Sequence, residues 1–195
     1  MKPKRRCVFL DRDGVLVEDL GPVVEPGGFR ILPGVPRALR QLQQAGFALV
    51  VVSNQAVVAR GLLGEAGLEA LHAALERLIR ARGGPPLDGF YSCPHHPAAT
   101  LPEFRADCAC RKPRPGLLLR AATELDLDLP SSFMVGDRPS DLQAGHRAGC
   151  TALWVQSGRH LDRPIESSEP VDPAVPVAFT CTTLAEAAAW ILEGR

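Results

Sequence analysis

The chain carries no surplus of either charge: 22 lysines and arginines balance 22 aspartates and glutamates. A protein that grips nucleic acid normally shows a basic excess, so the balance argues against that class. Also missing is any run of about 18 apolar residues, the length a membrane-crossing helix needs. The N-terminus is basic at Lys2, Lys4, Arg5 and Arg6, but the apolar run behind it is too short for the core of a secretion signal. Without such a signal, the six cysteines are expected as thiols or metal ligands rather than disulfides. No internal repeat or low-complexity tract interrupts the 195 residues. One domain (1–195) with a substantial core is therefore expected, in a monomeric, cytoplasmic enzyme that touches neither nucleic acid nor membrane.

What is present is 46% hydrophobic and 23% charged, an ordinary globular balance, with many of the 18 prolines and 18 glycines lying between periodic segments. The apolar run Cys7-Val8-Phe9-Leu10 reads as a buried strand that stops at Asp11-Arg12-Asp13-Gly14. Alternation along an extended chain sends Asp11 and Asp13 to the same side of the strand's C-terminal edge. That edge is where open α/β sheets hold ligands. Two carboxylates so close repel unless a cation or a proton intervenes, which suggests a divalent metal, a phosphate, or both. Taken alone, the pair could equally be an acidic strand-end turn.

Residues 15–32 lack a helical period and read as a loop or flap beside Asp11. A helix follows over 36–45, with Val35, Leu39 and Leu42 on one face, then a buried strand over 47–52 ending in Ser53-Asn54-Gln55. Leucines at three- and four-residue spacing predict a helix over about 65–82, and a short strand is expected at 89–93. A polar loop then runs to Cys110, and a helix covers 116–125. The strand at 133–135 ends in Gly136-Asp137, and Ser140 with Gln143 has the form of a capping box for the next helix. A strand at 151–155, an irregular segment over 156–176, a strand at 178–181 and a helix capped by Thr183 and Glu186 complete the chain. Alternating strands and helices predict an α/β, Rossmann-like parallel sheet with helices on both faces.

Three of these strands end in reactive groups: Asp11 and Asp13, then Ser53 and Asn54, then Asp137 with Asp141 nearby. In a parallel sheet all three ends share one edge. Arg111 and Lys112, held extended before Pro113, add cations. Carboxylates with a metal, a hydroxyl donor and a fixed lysine are the parts that phosphoryl transfer requires. A second cluster is Cys93-Pro94-His95-His96 with Cys108-Ala109-Cys110. Cys93, His95, Cys108 and Cys110 offer four soft ligands able to close a tetrahedron around Zn²⁺, with His96 a rival for the histidine position.

The set Asp11-x-Asp13-Gly14, Ser53-Asn54, Lys112-Pro113 and Gly136-Asp137-x-x-x-Asp141 resembles the four-motif signature of the haloacid dehalogenase (HAD) superfamily of phosphatases. The resemblance implies Asp11 as nucleophile, forming an aspartyl-phosphate, and Asp13 as general acid and then base. It implies Ser53 and Lys112 on the phosphoryl group, with Asn54 beside them. It also implies Mg²⁺ on Asp11, the Asp13 carbonyl and Asp137, with Asp141 in support.

Cys93-Pro94-His95-His96-Pro97 with Cys108-Ala109-Cys110-Arg111-Lys112-Pro113 narrows this to a subgroup. It resembles the D-glycero-D-manno-heptose 1,7-bisphosphate phosphatases, which stand beside the histidinol-phosphate phosphatases. That implies no large cap domain, a zinc loop over about 93–110, and Arg111 and Arg138 on the distal part of a phosphorylated sugar. Two stretches depart from the pattern: Ala56-Val57-Val58 stands where the family usually has Ser-Gly-Ile, and Asp19–Pro22 lacks an expected aromatic and histidine. The expected substrate is heptose 1,7-bisphosphate. Histidinol phosphate is the alternative, and a zinc-ordered binding module with an inactive core is a third reading from another class. Cys7, Cys150, Cys181, Trp154 and Trp190 are expected in the core, and His72, His146 and His160 at the surface.

Overall fold

A computed structural model describes residues 3–156, 172 and 174–194 of the chain. Strand β1 (Cys7–Leu10) has an apolar side chain at every position, so both its faces must be covered, and all four residues are fully buried. Strand β2 (Ala48–Asn54) follows the same rule, and β4 (Phe133–Gly136) is its counterpart on the other side of β1. With β3 (Gly89–Cys93), β5 (Thr151–Val155) and β6 (Phe179–Cys181) they form one sheet in the order β3-β2-β1-β4-β5-β6, every neighbouring pair parallel.

Alternation divides the core into two layers. Val8, Leu10, Leu49, Val51 and Val135 face α1 (Val35–Gln44), α3 (Glu65–Ala81) and α6 (Leu184–Leu192). Cys7, Phe9, Val50, Val52 and Met134 face α4 (Gly116–Glu124) and α5 (Pro139–Ala148). From β1 the chain steps outward to β2 and β3, then returns across to β4 and steps outward the other way. The switch in direction lies between β1 and β4, so Asp11 and Asp137 leave adjacent strands at the crevice where such sheets bind ligands. Among the described residues no helix is long and apolar enough to cross a membrane.

Several details differ from the sequence reading. Helix α5 starts at Pro139 with Arg138 as its cap, because Arg138 is extended and the fixed φ of proline suits the first helical position. The backbone N–H of Arg138 donates to Asp141 Oδ2 at 3.0 Å, so Asp141 rather than a Ser140–Gln143 box closes this end. A short helix α2 (Ala56–Ala59) occupies a Val-Val stretch with too few residues to show a period. His72 is buried, stacked on Phe90 with ring centroids 4.8 Å apart and hydrogen-bonded to Ser92 Oγ at 3.2 Å, not placed at the surface. The flap is also better packed than its composition implies: Val15, Leu16, Val17, Val23 and Phe29 are all buried. The Thr183 cap forms as expected, accepting the Glu186 N–H at 3.2 Å. His160 and most of 156–176 lie outside the described residues.

Candidate active site

Lys112 sits at the centre of the crevice. Its ammonium donates to Asp11 Oδ1 at 2.7 Å and to the Val52 carbonyl at 2.8 Å, and it pairs with Asp141 Oδ1 at 2.6 Å. Its main chain is held too: the Lys112 N–H donates to Asn54 Oδ1, and Asn54 Nδ2 donates to the Lys112 carbonyl, both at 3.0 Å. Asn54 thus lines the cavity but spends its amide on holding Lys112 in place. Burial alone would lower the lysine's pKa, but Asp11 and Asp141 outweigh it and hold the ammonium above its usual range. Asp11 is raised by burial and pulled back by Lys112.

Asp137 has no such cation. Both its carboxylate oxygens are buried without a hydrogen-bond partner, and burial, reinforced by Asp11 and Asp141, pushes its pKa up to about 9. One ligand atom from each of Asp11, Asp137 and Asp141 lies within 4.8 Å of the others. Orphaned carboxylate oxygens beside two further carboxylates fit a hard divalent cation that takes oxygen ligands. Space for this comes from glycine. A Cβ on Gly14 (φ +83°) would run into the Asp137 carboxylate, and one on Gly136 into Asp141.

Asp13 stands slightly apart from this trio. Its Oδ2 accepts from Arg12 Nη2 at 2.8 Å, Arg12 Nε at 3.1 Å and Gln55 Nε2 at 3.3 Å. Burial raises its pKa and Arg12 opposes the rise. The Arg12 guanidinium is buried and lies 5.5 Å from the centre of the Phe29 ring, so the flap covers the clamp on Asp13.

Asp11, Asp13, Ser53, Asn54, Arg111, Lys112 and Arg138 all line one cavity of about 340 Å³, with Asp137 fully buried behind them. Arg138 Nη2 donates to Asp19 Oδ2 of the flap at 2.9 Å, and Arg111 Nη1 donates to the His95 carbonyl at 3.1 Å.

The second cluster is built within one stretch of chain. Cys93 Sγ lies 3.1 Å from Cys110 Sγ and 3.5 Å from Cys108 Sγ, and Cys108 and Cys110 are 3.2 Å apart. His95 Nδ1 is 3.5 Å from Cys110 Sγ and 3.7 Å from Cys93 Sγ. His96 instead turns Nδ1 to accept the Ala98 N–H at 3.0 Å, which leaves His95 as the histidine of the group. Hydrogen bonding splits the thiols: Cys110 comes down to about 5 while Cys93 goes up. Three sulfurs and one imidazole nitrogen facing a common centre fit a soft, four-coordinate metal ion.

A HAD-hydrolase-like family model matches residues 109–187. The D-glycero-beta-D-manno-heptose-1,7-bisphosphate 7-phosphatase of Escherichia coli (strain K12) is 43% identical over 163 residues, which is 83% of this chain and 85% of that protein. The Yersinia pestis protein of the same name is 44% identical over 78% of this chain and 81% of its own. The chain belongs to this family of HAD phosphatases. Among solved structures, the D,D-heptose 1.7-bisphosphate phosphatase of B. bronchiseptica, complexed with magnesium and phosphate, matches the phosphatase with a TM-score of 0.79. It is 34% identical, over 97% of this chain and 99% of that one.

Sequence reasoning gave no role to several polar residues that line the cavity of the phosphatase, Asp19, Arg60 and Gln55 among them. Asp19 stood in the flap only as part of a departure from pattern, and its link to Arg138 spans 119 positions. Arg60, behind the unrecognised α2, lines the cavity as well. Gln55 carried a signal, because it follows Ser53 by two and so returns to the same side of an extended strand end.

Proposed function

We propose that the phosphatase removes the 7-phosphate of D-glycero-D-manno-heptose 1,7-bisphosphate through an aspartyl-phosphate on Asp11. The observation that carries this reading is Asp11 pinned by Lys112 next to the partnerless oxygens of Asp137. One Asp11 oxygen is committed to Lys112, and the other is the proposed attacking atom. As it bonds to phosphorus, the phosphorus–sugar oxygen bond breaks and Asp13 gives the leaving alkoxide a proton. Asp13 then takes a proton from water, whose oxygen attacks the phosphorylated carboxyl at phosphorus, releasing phosphate and restoring Asp11. The Ser53 hydroxyl and the Lys112 ammonium hydrogen-bond the oxygens of the transferring group.

Asp11, the Asp13 carbonyl and Asp137, with Asp141 behind, are the proposed Mg²⁺ holders. When bound there, the ion neutralises phosphoryl oxygens and relieves the crowded carboxylates. Cys93, His95, Cys108 and Cys110 are the proposed ligands of a structural Zn²⁺. A single copy of the chain supplies every group named.

Arginine at 60, 111 and 138 around the cavity offers donors for a second phosphate, which favours the bisphosphate over histidinol phosphate. Initial rates with Mg²⁺ test the assignment. A kcat/KM at least about a hundredfold higher for the heptose bisphosphate is expected, equal to roughly 3 kcal/mol of discrimination. A faster rate on histidinol phosphate would overturn the substrate, and no turnover of any phosphate ester would overturn the reaction.

A further inference from the structure

Gln55 has no part in the chemistry above, yet it is buried between two residues that do. Its Nε2 lies 2.6 Å from Ser53 Oγ and 3.3 Å from Asp13 Oδ2, and only 3% of it is exposed. Asp13 Oδ2 already takes two N–H bonds from Arg12 and so acts as an acceptor even when the other oxygen carries the proton that Asp13 later gives up, which makes the half of the amide facing it the –NH₂ group. That group has two protons, and the short contact directs the other one at Ser53 Oγ. Ser53 is therefore an acceptor towards Gln55. A hydroxyl carries a single proton, and with one lone pair engaged this way the proton must be aimed elsewhere. Ser53 is itself almost fully buried and lines the cavity.

We infer that Gln55 is a positioning residue that sets the polarity of Ser53, turning its O–H towards the oxygens of the transferring phosphoryl group. The inference rests on the proposed role of Ser53 in phosphoryl transfer. Asp13 depends on Gln55 less than Ser53 does, because Arg12 already holds the same carboxylate through three shorter bonds. The device acts before substrate arrives. A serine free to rotate would have to give up other orientations during the reaction, whereas this one is a donor in advance.

The test uses Gln55→Met, which keeps length but donates nothing, and Gln55→Glu, which keeps shape but takes the Ser53 proton for itself. Ser53→Ala and the double variant Ser53→Ala with Gln55→Met complete a cycle. Rates are measured with Mg²⁺ on heptose 1,7-bisphosphate and on p-nitrophenyl phosphate. Both Gln55 variants are expected to lower kcat by about 10- to 100-fold on both substrates, with KM within about threefold. Loss on the sugar alone would mean distal recognition and would overturn the inference. The double variant should fall no more than about threefold below Ser53→Ala, since without the hydroxyl there is nothing for Gln55 to orient. Multiplying losses, or a Gln55→Met kcat within twofold of the unaltered enzyme, would also overturn it. If Gln55→Met does not fold, Gln55→Glu decides by the same thresholds. A fully active Ser53→Ala removes the proposed role of Ser53 and the inference with it, whereas a Gln55 failure alone leaves that role standing.

Discussion

Among the described residues the phosphatase has two clusters of metal-ligating side chains, one buried and one half-buried, and they are assembled in opposite ways. Asp11 comes from the end of one strand, Asp137 and Asp141 come from the end of another and the helix turn after it more than a hundred positions on, and Lys112 reaches them from a third stretch of chain. Cys93, His95, Cys108 and Cys110 come from one strand end and the loop after it. The first therefore exists only when the sheet is complete, while the second needs little more than its own loop. Their electrostatics differ as well. Three carboxylates carry an internal counter-ion in Lys112, so the first cluster is partly neutralised without metal. The thiols have no lysine or arginine inside the cluster, only the His95 imidazole, and they hydrogen-bond to one another. Loss of metal should leave the first cluster shaped but idle, and should loosen the second.

The sharpest way to press on this contrast is Asp11→Asn. An amide is no nucleophile, so kcat is expected to fall by at least about 10⁴-fold while the thermal midpoint holds or rises, because one of the crowded carboxylates is gone. Retained turnover would break the chemical half of the comparison. Lys112→Met comes next, expected to cost about 10²- to 10³-fold in kcat. Here the fold should suffer too, by about 3–5 kcal/mol in chemical denaturation without Mg²⁺, because Asp11 and Asp141 lose their buried partner. Added Mg²⁺ should restore part of that stability.

Stripping the second cluster with a thiol-competitive chelator, or substituting Cys108→Ser, should act differently. The midpoint is expected to drop on the order of 5 °C or more, with elemental analysis showing lost zinc. KM for the bisphosphate should rise more than kcat falls, because Arg111 leans on the His95 carbonyl. A kcat collapse with unchanged stability would contradict the division of labour.

The smallest effect belongs to His72, which is a member of neither cluster and hydrogen-bonds Ser92. Burial, with Arg12 adding, lowers its pKa to about 4 from an ordinary 6.5. The unfolded chain then binds the proton more readily than the folded one, so stability is unpenalised above pH 6.5 and declines as pH falls from there towards 4. The whole decline is at most about 3 kcal/mol. Denaturation of His72→Gln at pH 7 and pH 5 should show a smaller difference between the two conditions than the unaltered protein does.

Strands were legible from sequence because a run such as Val50-Val51-Val52 has only one place to go, the middle of a covered sheet. Asp11 and Asp137 were legible as a pair because strand ends in a parallel sheet share an edge, whereas Lys112 joined them as a cation held before Pro113. The cysteine cluster was legible from spacing, although only the fold separates His95 from His96. Asp141 was harder. It caps α5 with one oxygen and pairs with Lys112 through the other, and the second role depends on a residue 29 positions away in another element. His72 had a readable signal that was passed over: Leu68, Leu71, His72, Leu75 and Ile79 lie on one helical stripe, and that stripe is buried. The Arg138–Asp19 contact left no local trace, since flap position follows from packing that no short motif encodes.

Gly14 and Gly136 show how much of this enzyme is defined by atoms it lacks. The hollow that Asp137 and Asp141 fill is the volume of two absent methyl groups. An alanine at either place would leave every acid and base in the inventory and still displace the oxygens proposed to receive the ion. A lineage could thus lose catalysis while every motif carboxylate and the lysine stayed in its sequence.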